Sequence, residues 1–364
     1  MRGLFRSRLA LPLAAFFMIA TAIAIPLSGN ITRSHAASDR TVTVMTQNMD
    51  EGTDFGPIFT ATTLSGFEAA VGATYNEVKA GNIPERAVAI ANEIAQDEPV
   101  LVGLQEASQW LTGPLGSPPA KTVVFDQLQS LLDALAQQGL HYAPIGISKN
   151  IDVEAPSNLG FDVRFIDRDV LLVRTDLADL TLSNIQVQHF ANLLVLHTLT
   201  GAVTIPRGWI SVDVTIKDHH TFRFLTTHLE SLSSVVQVAQ GNELVQGPGN
   251  TSLPVVFAGD FNSNAGSNAG SGKNQTPTYG NLIAAGFVDA WSVTNPDDPG
   301  YTWPLHLEDP LTASATPVDR IDLVLLLNKI RAKDAELVGN EPADLTPSGL
   351  WPSDHAGVVA TVRI

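Results

Sequence analysis

Polar residues stand where apolar, strand-like runs of the sequence meet loops. The clearest case is the stretch VVFAGDFNSN, in which the run from Val255 ends on Asp260 and Asn262. Five further places in or beside such runs carry acids, amides or imidazoles: Asn48 with Asp50, Glu106, His228, Asp322, and Asp354 with His355. Any one of them is ordinary, because a lone Asn or Asp after a strand is usually a turn former. The whole set is what indicates a functional site.

These residue types are the ones that hydrolysis of a phosphate ester needs. A hard divalent cation such as Mg²⁺ takes oxygen ligands from one or two carboxylates and keeps several waters. Glu106 together with Asn48, Asp50 or Asp354 could supply those oxygens. The pattern is therefore typical of a metal-assisted hydrolase.

The same set also contains groups for proton transfer and charge stabilisation. The attacking water needs a base, and the charge that develops on the phosphoryl oxygens needs fixed donors. His355 beside an orienting carboxylate, with Asn262 and His228 as donors, would meet both needs. Sequence spacing alone does not bring these groups together, so their convergence is an expectation.

Six short motifs resemble, in order, those of the endonuclease/exonuclease/phosphatase superfamily. They are TQNMD (46–50), GLQE (103–106), TTHLE (226–230), GDFN (259–262), DRIDLVL (319–325) and SDH (353–355). One motif alone would be a weak signal, whereas six in one order cover most of the chain. The resemblance implies an α+β fold, a four-layer α/β/β/α sandwich of two packed mixed β-sheets with outer helices. It also implies an active site at one edge of that sandwich.

The resemblance further implies the ligands of a Mg²⁺ or Mn²⁺ ion. Glu106 matches the principal metal ligand, with Asn48 and Asp50 beside it and Asp354 completing the metal side. Whether one or two ions take part stays open at this stage.

Catalytic roles are implied by the same match. His355 and Asp322 resemble a His–Asp pair in which the carboxylate orients the imidazole. Asp260 would hold or deprotonate the nucleophilic water, while Asn262 and His228 would stabilise the transition state. Which group is the base stays open.

An arginine outside the six motifs is a further candidate. Arg168 resembles a phosphate-contacting residue of the deoxyribonuclease branch, and a surface ion pair is the alternative interpretation.

Short strands that alternate with a few helices must position these residues. Strands are predicted at residues 41–45, 100–104, 169–174, 193–197, 209–217, 221–227, 253–258, 321–326 and 357–363. Helices are predicted at residues 84–97 and 125–140, where apolar residues recur at helical spacing. Residues 50–82 are predicted to be a rim or lid insertion, and residues 259–280 a flexible surface loop. No composition break marks a second domain, so residues 41–364 are predicted to form one domain.

The first residues of the chain resemble an export signal. Arg2, Arg6 and Arg8 precede a long apolar run, and Ser34-His35-Ala36 is a plausible cleavage site. We therefore predict a signal peptide at residues 1–36 and a secreted protein, with an uncleaved signal anchor as the alternative. The chain has no Cys, which excludes a lipoprotein anchor, a thiolate nucleophile and thiolate metal ligands.

The charge balance limits the possible partners. The chain has 21 basic and 37 acidic residues, a formal net charge of −16 at pH 7. Such a surface repels polyanions at long range and disfavours tight, passive binding to nucleic acid. Catalysis on a phosphodiester stays possible where a bound cation reverses the sign locally.

The sequence predicts a secreted, metal-dependent phosphoesterase, most readily a nuclease, acting as a monomer without a stable protein partner. Asn48-x-Asp50, Arg168 and export favour nucleic acid as the substrate. The alternatives are a phospholipid or sphingomyelin phosphodiesterase and an inositol-phosphate phosphatase. A third alternative is a catalytically inactive binding module. Such a module would have no chemical need for the complete set of polar site residues.

Overall fold

The computed structural model describes residues 41–216, 220–265, 274–306, 309–312 and 314–364. The predicted signal peptide lies outside the described residues. The strands are β1 (Thr41–Asn48), β2 (Leu101–Gln105), β3 (Gln109–Pro114), β4 (Thr122–Asp126), β5 (Tyr142–Pro156), β6 (Phe161–Arg174), β7 (Leu180–His189), β8 (Leu194–Thr198), β9 (Gly201–Ile205), β10 (Gly208–Ile216), β11 (His220–His228), β12 (Val255–Asp260), β13 (Val288–Asp289), β14 (Asp322–Leu327), β15 (Arg331–Val338) and β16 (Gly357–Arg363). The helices are α1 (Gly56–Thr60), α2 (Leu64–Ala80), α3 (Ile83–Asp97), α4 (Gln127–Gln137), α5 (Ser234–Gln246), α6 (Thr278–Ala284) and α7 (Ala290–Thr294), and Pro342–Asp344 form a 3₁₀ turn.

Two mixed sheets form the centre of the fold. The first has the strand order β15-β16-β1-β2-β6-β3-β4, with β5 also paired to β6. The second has the order β13-β14-β12-β11-β10-β7. Within these sheets β1 and β2 are parallel, as are β11 and β12, while the other pairs are antiparallel.

Strand β12 shows why the sheets stack in layers. All six of its residues are buried, and alternate side chains face opposite sides of the strand. Val256 and Ala258 belong to the core between the two sheets, whereas Val255 and Phe257 face the helices beyond the second sheet. A strand that is apolar on both faces can only sit inside a layered fold.

Helices cover the outer face of each sheet. Ile90 of α3 and Leu131 of α4 pack with Val102 on the first sheet. Leu244 of α5 and Leu282 of α6 pack on the second. The predicted α+β sandwich is therefore confirmed. Among the described residues, none of the helices combines the length and hydropathy needed to cross a bilayer.

The segment between β1 and α3 corrects one expectation. Residues 50–82 were predicted to be a loop that forms a rim or lid insertion, yet most of them form α1 and α2. The side chains of Phe67, Val71 and Val78 are buried at helical spacing, and Thr63 caps α2 by accepting from the Gly66 N–H. The segment is thus packed by its own amphipathic helix.

The segment after β12 corrects another expectation. Asn264 and Asn274 are buried and both donate to the Asp319 carboxylate, at 2.5 and 3.0 Å. Helix α6 then begins at Thr278. The described parts of residues 259–280 are therefore a bonded connection, not a solvated loop; residues 266–273 lie outside the described residues.

The strand predictions differ from the structure mainly in what they omit. Strands β3, β4, β5, β7, β9, β13 and β15 were not predicted. The run predicted at 193–197 joins neither central sheet. It forms β8, which pairs with β9 in a separate hairpin. Burial along β7 is only intermediate or absent, so its sequence lacks the apolar run that marks a strand.

A buried glutamate in α3 gives the fold a pH-dependent stability. Glu93 is 2% exposed, and both its carboxylate oxygens lack a hydrogen-bond partner among the described residues. Burial raises the pKa of Glu93 to about 8, with a further contribution from Asp344. Below pH 4.5 both folded and unfolded chains hold this proton. Between there and pH 8 only the unfolded chain releases it, so the free energy of unfolding falls as pH rises.

We expect Glu93→Gln to remove most of this pH-dependent fall in the free energy of unfolding. Each pH unit within the window is worth up to about 1.4 kcal/mol, so the fall between pH 5 and pH 8 shrinks by roughly 3 to 4 kcal/mol. Urea unfolding at the two pH values measures it. Glu98→Gln, at the exposed residue that follows the helix and pairs with Arg174, is the control. An equal pH slope in the wild type and Glu93→Gln would show that Glu93 is ionised in the folded chain.

Candidate active site

The site lies at the ends of two parallel strand pairs, one in each sheet. Pairing of β1 with β2 sets Asn48 beside Gln105, and Glu106 follows immediately. Pairing of β11 with β12 sets His228 beside Asp260. Because parallel neighbours end at the same edge of a sheet, each pair delivers two polar side chains together. The Asn48 amide nitrogen then reaches the Asp260 carboxylate across the sandwich, at 3.2 Å.

A glycine fixes how Asp260 is presented. A Cβ at Gly259 would lie 2.2 Å from the Thr227 carbonyl oxygen of the neighbouring strand. Any side chain there would push β11 and β12 apart. Antiparallel β14 begins on the other side of β12, and its first residue, Asp322, pairs with Asp260. Three polar residues are thus in register across one sheet.

Asp260 is the point on which the predicted residues converge. Its Oδ1 accepts the backbone N–H of Asn262 at 2.8 Å, which fixes the carboxylate plane. Its Oδ2 lies 3.4 Å from His228 Nε2 and 4.0 Å from His355 Nε2. These residues come from β11, β12 and the segment before β16, so the convergence depends on the tertiary fold.

Burial changes the acidity of this carboxyl group. Asp260 is 1% exposed, and burial raises its pKa to about 7. The neighbouring Asp322 raises the pKa further, while the positive charge of His355 lowers it. A carboxyl group that titrates near neutrality is suited to taking a proton from water and releasing it.

His355 and Asp322 form the predicted pair. His355 Nδ1 lies 2.8 Å from Asp322 Oδ2. Since a carboxylate only accepts, Nδ1 is the donor and Nε2 faces Asp354 Oδ1 at 3.7 Å. Burial alone would lower the pKa of His355, but the Asp322, Asp354 and Asp260 carboxylates hold it well above its ordinary value. These carboxylates therefore favour the protonated ring, in which Nε2–H faces the cavity.

His228 is held in a different protonation state by an arginine. Arg207 Nη1 lies 2.7 Å from His228 Nδ1. A guanidinium has no acceptor, so Nδ1 carries the lone pair and Nε2 carries the hydrogen. That Nε2–H points toward Asp260 Oδ2 and lies 3.9 Å from Glu106 Oε1. Arg207 itself lies 3.6 Å from Asp167. His228 is thus a neutral donor beside the acidic residues.

Glu106 and Asn48, two of the predicted metal ligands, are joined by a hydrogen bond in which the Asn48 nitrogen, not its oxygen, faces the carboxylate. Glu106 has a left-handed backbone with φ of 56°, which turns the chain sharply after β2. Its Oε1 accepts from Asn48 Nδ2 and its Oε2 from the Glu51 backbone N–H, both at 3.0 Å. The Asn48 amide oxygen accepts from the Asp50 N–H. Asn48 therefore presents its nitrogen to the carboxylates, in an orientation that aligns them.

Asp50 lies in a second acidic group. Its Oδ2 is 3.1 Å from Arg86 Nη2. One ligand atom each from Asp50, His306 and Asp309 lie within 4.8 Å of one another. Burial raises the pKa of Asp309 to about 8, and the charges of Asp50 and Asp354 raise it further. The structure thus places Asp50 with two residues that the sequence did not single out.

Asp354 connects the two halves of the site. Trp303 Nε1 donates to Asp354 Oδ2 at 3.1 Å, which holds the carboxylate. Burial raises the pKa of Asp354, while His355 lowers it and Asp50 raises it. Its position between the imidazolium and the second acidic group fits the predicted place on the metal side.

The donor set fits a hard divalent cation. Glu51, Asp260 and Asp354 all have raised pKa values because burial disfavours their charged forms. They line one cavity of about 300 Å³ together with Glu106 and Asp309. So many buried carboxyl oxygens repel one another unless they hold protons or a cation. Oxygen-rich surroundings of this kind suit Mg²⁺ or Mn²⁺.

Asn262 and Arg168 differ in where the structure places them. Asn262 lines the cavity, and one of its amide hydrogens goes to the Leu229 carbonyl at 3.0 Å. Arg168 is not among the residues that line the cavity. Its guanidinium pairs with Asp126 at 2.6 Å and also donates to the Ala107 carbonyl at 2.7 Å. Arg168 therefore links β6 to β4 and the start of α4. This is the ion pair that was the alternative to a phosphate contact.

Several residues of the site were missed by sequence reasoning. They are Glu51, Arg207, Trp303, His306 and Asp309. Arg207 precedes β10, whereas the predicted site residues lie mainly at the ends of strands. Since β10 runs antiparallel to β11, its beginning lies at the edge where β11 ends. A polar residue just before a strand that runs antiparallel to a site-bearing strand could therefore have been recognised as a site candidate.

Comparison with known proteins gives the family. The model of the Endonuclease/Exonuclease/phosphatase family matches residues 72–355. The chain belongs to this family. The matched segment includes every predicted site residue except Asn48 and Asp50. Members of the family are phosphoesterases that depend on divalent metals. No curated protein sequence gives a significant match.

Solved structures share the family fold at low identity. TDP2 of D. rerio, complexed with a single-strand DNA product, is 16% identical with a TM-score of 0.52 and covers 90% of this chain and 100% of its own. A mannosyl-6-phosphatase of Bacteroides thetaiotaomicron is 14% identical with a TM-score of 0.53, covering 88% and 99%. A family protein of Beutenbergia cavernae is 18% identical with a TM-score of 0.52, covering 89% and 72%. Their activities differ, so likeness to them shows the fold alone.

Proposed function

We propose that this family member hydrolyses phosphodiester bonds by in-line attack of water, with Mg²⁺ or Mn²⁺ as cofactor. The observation that carries the proposal is the convergence of Asp260, His228 and His355 on one acidic cavity that also contains Glu106. A site with a titratable carboxyl, two fixed imidazole donors and metal-type oxygens has the groups this reaction requires.

The residues divide the reaction between them. Asp260 holds the water and takes its proton as the water oxygen bonds to phosphorus and the bond from phosphorus to the leaving oxygen breaks. The Nε2–H groups of His228 and His355 donate to the phosphoryl oxygens, and the imidazolium of His355 can protonate the leaving oxygen. Glu106 and Asp354 would hold the cation, whose positive charge would neutralise the phosphate.

Removal of the metal is expected to abolish this activity. Hydrolysis of bis-p-nitrophenyl phosphate, followed by release of p-nitrophenolate, should stop with a chelator and return when Mg²⁺ or Mn²⁺ is added in excess. Ca²⁺ at the same concentration controls for a general effect of ionic charge. Activity that persists after exhaustive chelation would contradict the metal requirement.

Nucleic acid is the substrate that the sequence favoured. The fold of TDP2, solved with a DNA product, is compatible with it. Arg168 no longer supports it because the side chain is committed to Asp126. The formal charge of −16 also disfavours a long polyanion. Plasmid DNA and RNA therefore belong in the assay beside lipid and inositol phosphates.

The proposal includes export. It rests on the charged and apolar pattern of residues 1–36. N-terminal sequencing of the protein recovered from culture medium should begin at Ala37, and a retained residue 1 would contradict cleavage.

A further inference from the structure

A second cavity adjoins the acidic one. Its volume is about 430 Å³, which is within the range of small-molecule pockets. Five residues line both cavities and so form the junction between them: Glu51, Thr53, Asp54, Arg207 and Ser231. A molecule with its phosphate beside His228 could therefore extend into the second cavity past Arg207.

The floor of the second cavity is aromatic and aliphatic. Phe55 stacks on Trp110 with ring centroids 6.0 Å apart and lies 4.9 Å from Phe165. Helix α2 contributes Phe67 and Val71 to the same apolar cluster. These contacts come from the segment 50–82 packed against the first sheet, so this cavity exists because that segment is helical.

The β8–β9 hairpin forms the opposite wall. Leu196 of β8 and Val203 of β9 pair with each other and both line the cavity. Their neighbours His197 and Ala202 also pair, but these residues are exposed, as expected from the alternation of side chains along a strand. Leu232, which is 58% exposed, lies on the same cavity. The cavity is thus walled by apolar side chains from separate parts of the fold.

The charge of the junction limits what can enter. Glu51 and Asp54 lie there with Arg207 as the cation, and Glu230 also lines the second cavity. A second phosphate would meet these acids, which disfavours a polynucleotide strand. Glu154 and Asp167 also line the cavity and add to its negative charge. A hydrocarbon chain carries no charge and would bury the apolar side chains of Phe55, Leu196 and Val203.

We propose that the second cavity is an apolar subsite that holds the hydrocarbon chain of an amphiphilic phosphoester whose phosphate is bound in the acidic cavity. The inference rests on the proposed phosphodiesterase activity and names its substrate class. Arg207 lies where the phosphate and the chain would join. The affinity for the substrate rises with the length of its hydrocarbon chain until that chain fills the cavity.

A series of alkyl p-nitrophenyl phosphates tests the subsite. Methyl, butyl, hexyl and octyl esters share one leaving group and are assayed below their critical micelle concentrations with saturating Mg²⁺. Each methylene that becomes fully buried is worth up to about fourfold in kcat/KM. We expect a rise of about tenfold or more from methyl to octyl. Equal kcat/KM along the series would overturn the subsite.

Two matched variants locate the effect. Val203→Trp fills the cavity and should flatten the dependence of kcat/KM on the length of the alkyl chain. Ala202→Trp places the same side chain on the outer face of the same strand and should keep the full dependence. A length dependence that is equal in both variants would overturn the assignment to this cavity.

The outcomes separate this inference from the proposed function. If no ester is hydrolysed, the phosphodiesterase proposal itself fails. If all esters are hydrolysed equally, the activity stands and only the subsite fails. If DNA or RNA is cleaved with a higher kcat/KM per bond than the octyl ester, and Val203→Trp leaves that cleavage unchanged, the substrate class is wrong.

Discussion

His355→Ala lowers kcat for a phosphodiester by a factor of about 10² or more. The substitution removes the imidazolium whose Nε2–H faces the cavity. It also leaves the Asp322 carboxylate buried, and Asp322 Oδ1 already lacks a hydrogen-bond partner among the described residues. The loss of one partner of a buried charge pair costs a few kcal/mol of stability. The variant must therefore be shown to be folded under the assay conditions, by near-ultraviolet circular dichroism.

Asp322→Asn tests whether Asp322 acts by orienting the His355 ring or by its negative charge. Asparagine can still accept the hydrogen from His355 Nδ1, but it no longer raises the pKa of the imidazole. We expect kcat to fall while the Mg²⁺ concentration for half-maximal activity stays close to that of the wild type. His197→Ala, in the exposed face of the β8–β9 hairpin, should leave kcat unchanged. A folded His355→Ala protein with near-normal kcat would remove this residue from the chemistry.

The central strands were predictable because burial on both faces leaves a visible apolar run. Residues 253–258 were predicted as a strand, and β12 spans Val255–Asp260. The same holds for β2 and β14, each buried over nearly its whole length. Such runs reflect the requirement of a layered sandwich for strands without a solvent face. The stacking of the sheets was implied only by the family resemblance.

Edge elements could not be recognised in the same way. Strand β7 lies at an edge of the second sheet and exposes much of one face, so neither a continuous apolar run nor a full alternation marks it. Helix α2 did carry a helical pattern, from Phe67 to Val78, but its place within a long inter-element segment suggested an insertion.

The candidate site depended on contacts that sequence spacing does not encode. Asn48 and Asp260 are 212 positions apart and yet share a hydrogen bond. Their approach follows from two parallel strand pairs in two sheets, a tertiary feature that the motif order implied and local patterns did not. Arg168 and Arg207 show the limit of such matching. Arg168 lies within β6 and Arg207 precedes β10, and both strands run antiparallel to a strand that ends at the site. Only their side-chain partners distinguish them: Arg168 pairs with Asp126, whereas Arg207 contacts His228 at the cavity.

The first cavity is lined mainly by acids and the second mainly by apolar side chains. This difference matches a substrate with a phosphate at one end and a hydrocarbon chain at the other. Buried acids make the first cavity favourable for a cation and, through it, for one phosphate. The apolar walls of the second cavity favour a chain without charge. Arg207 touches both, since it fixes the His228 ring and lines the junction. A single arginine at that position suits a substrate with one phosphate group.

Asp260→Asn is expected to lower kcat by about 10² or more with little effect on folding. Asparagine has the same shape as aspartate, and one amide atom must replace Oδ2, which Asn48 Nδ2 and the Nε2–H of His228 now approach. If the amide oxygen of the new Asn accepts from the Asn262 N–H, its amide nitrogen faces the N–H groups of Asn48 and His228. The substitution therefore removes both the proton acceptor and the favourable donor contacts at the centre of the site.

Two measurements distinguish a role in proton transfer from a role in metal binding. Direct titration with Mn²⁺ should give a dissociation constant for Asp260→Asn within a few-fold of the wild type if Glu106 and Asp354 provide the principal ligands. Asp133→Asn, at an exposed position of α4, should leave both kcat and Mn²⁺ affinity unchanged. Loss of Mn²⁺ binding together with kcat would place Asp260 among the metal ligands, and near-normal kcat would exclude it as the base. Because burial raises its pKa to about 7, Asp260 can take a proton from water near neutrality. We therefore expect kcat to fall while the Mn²⁺ affinity stays close to that of the wild type.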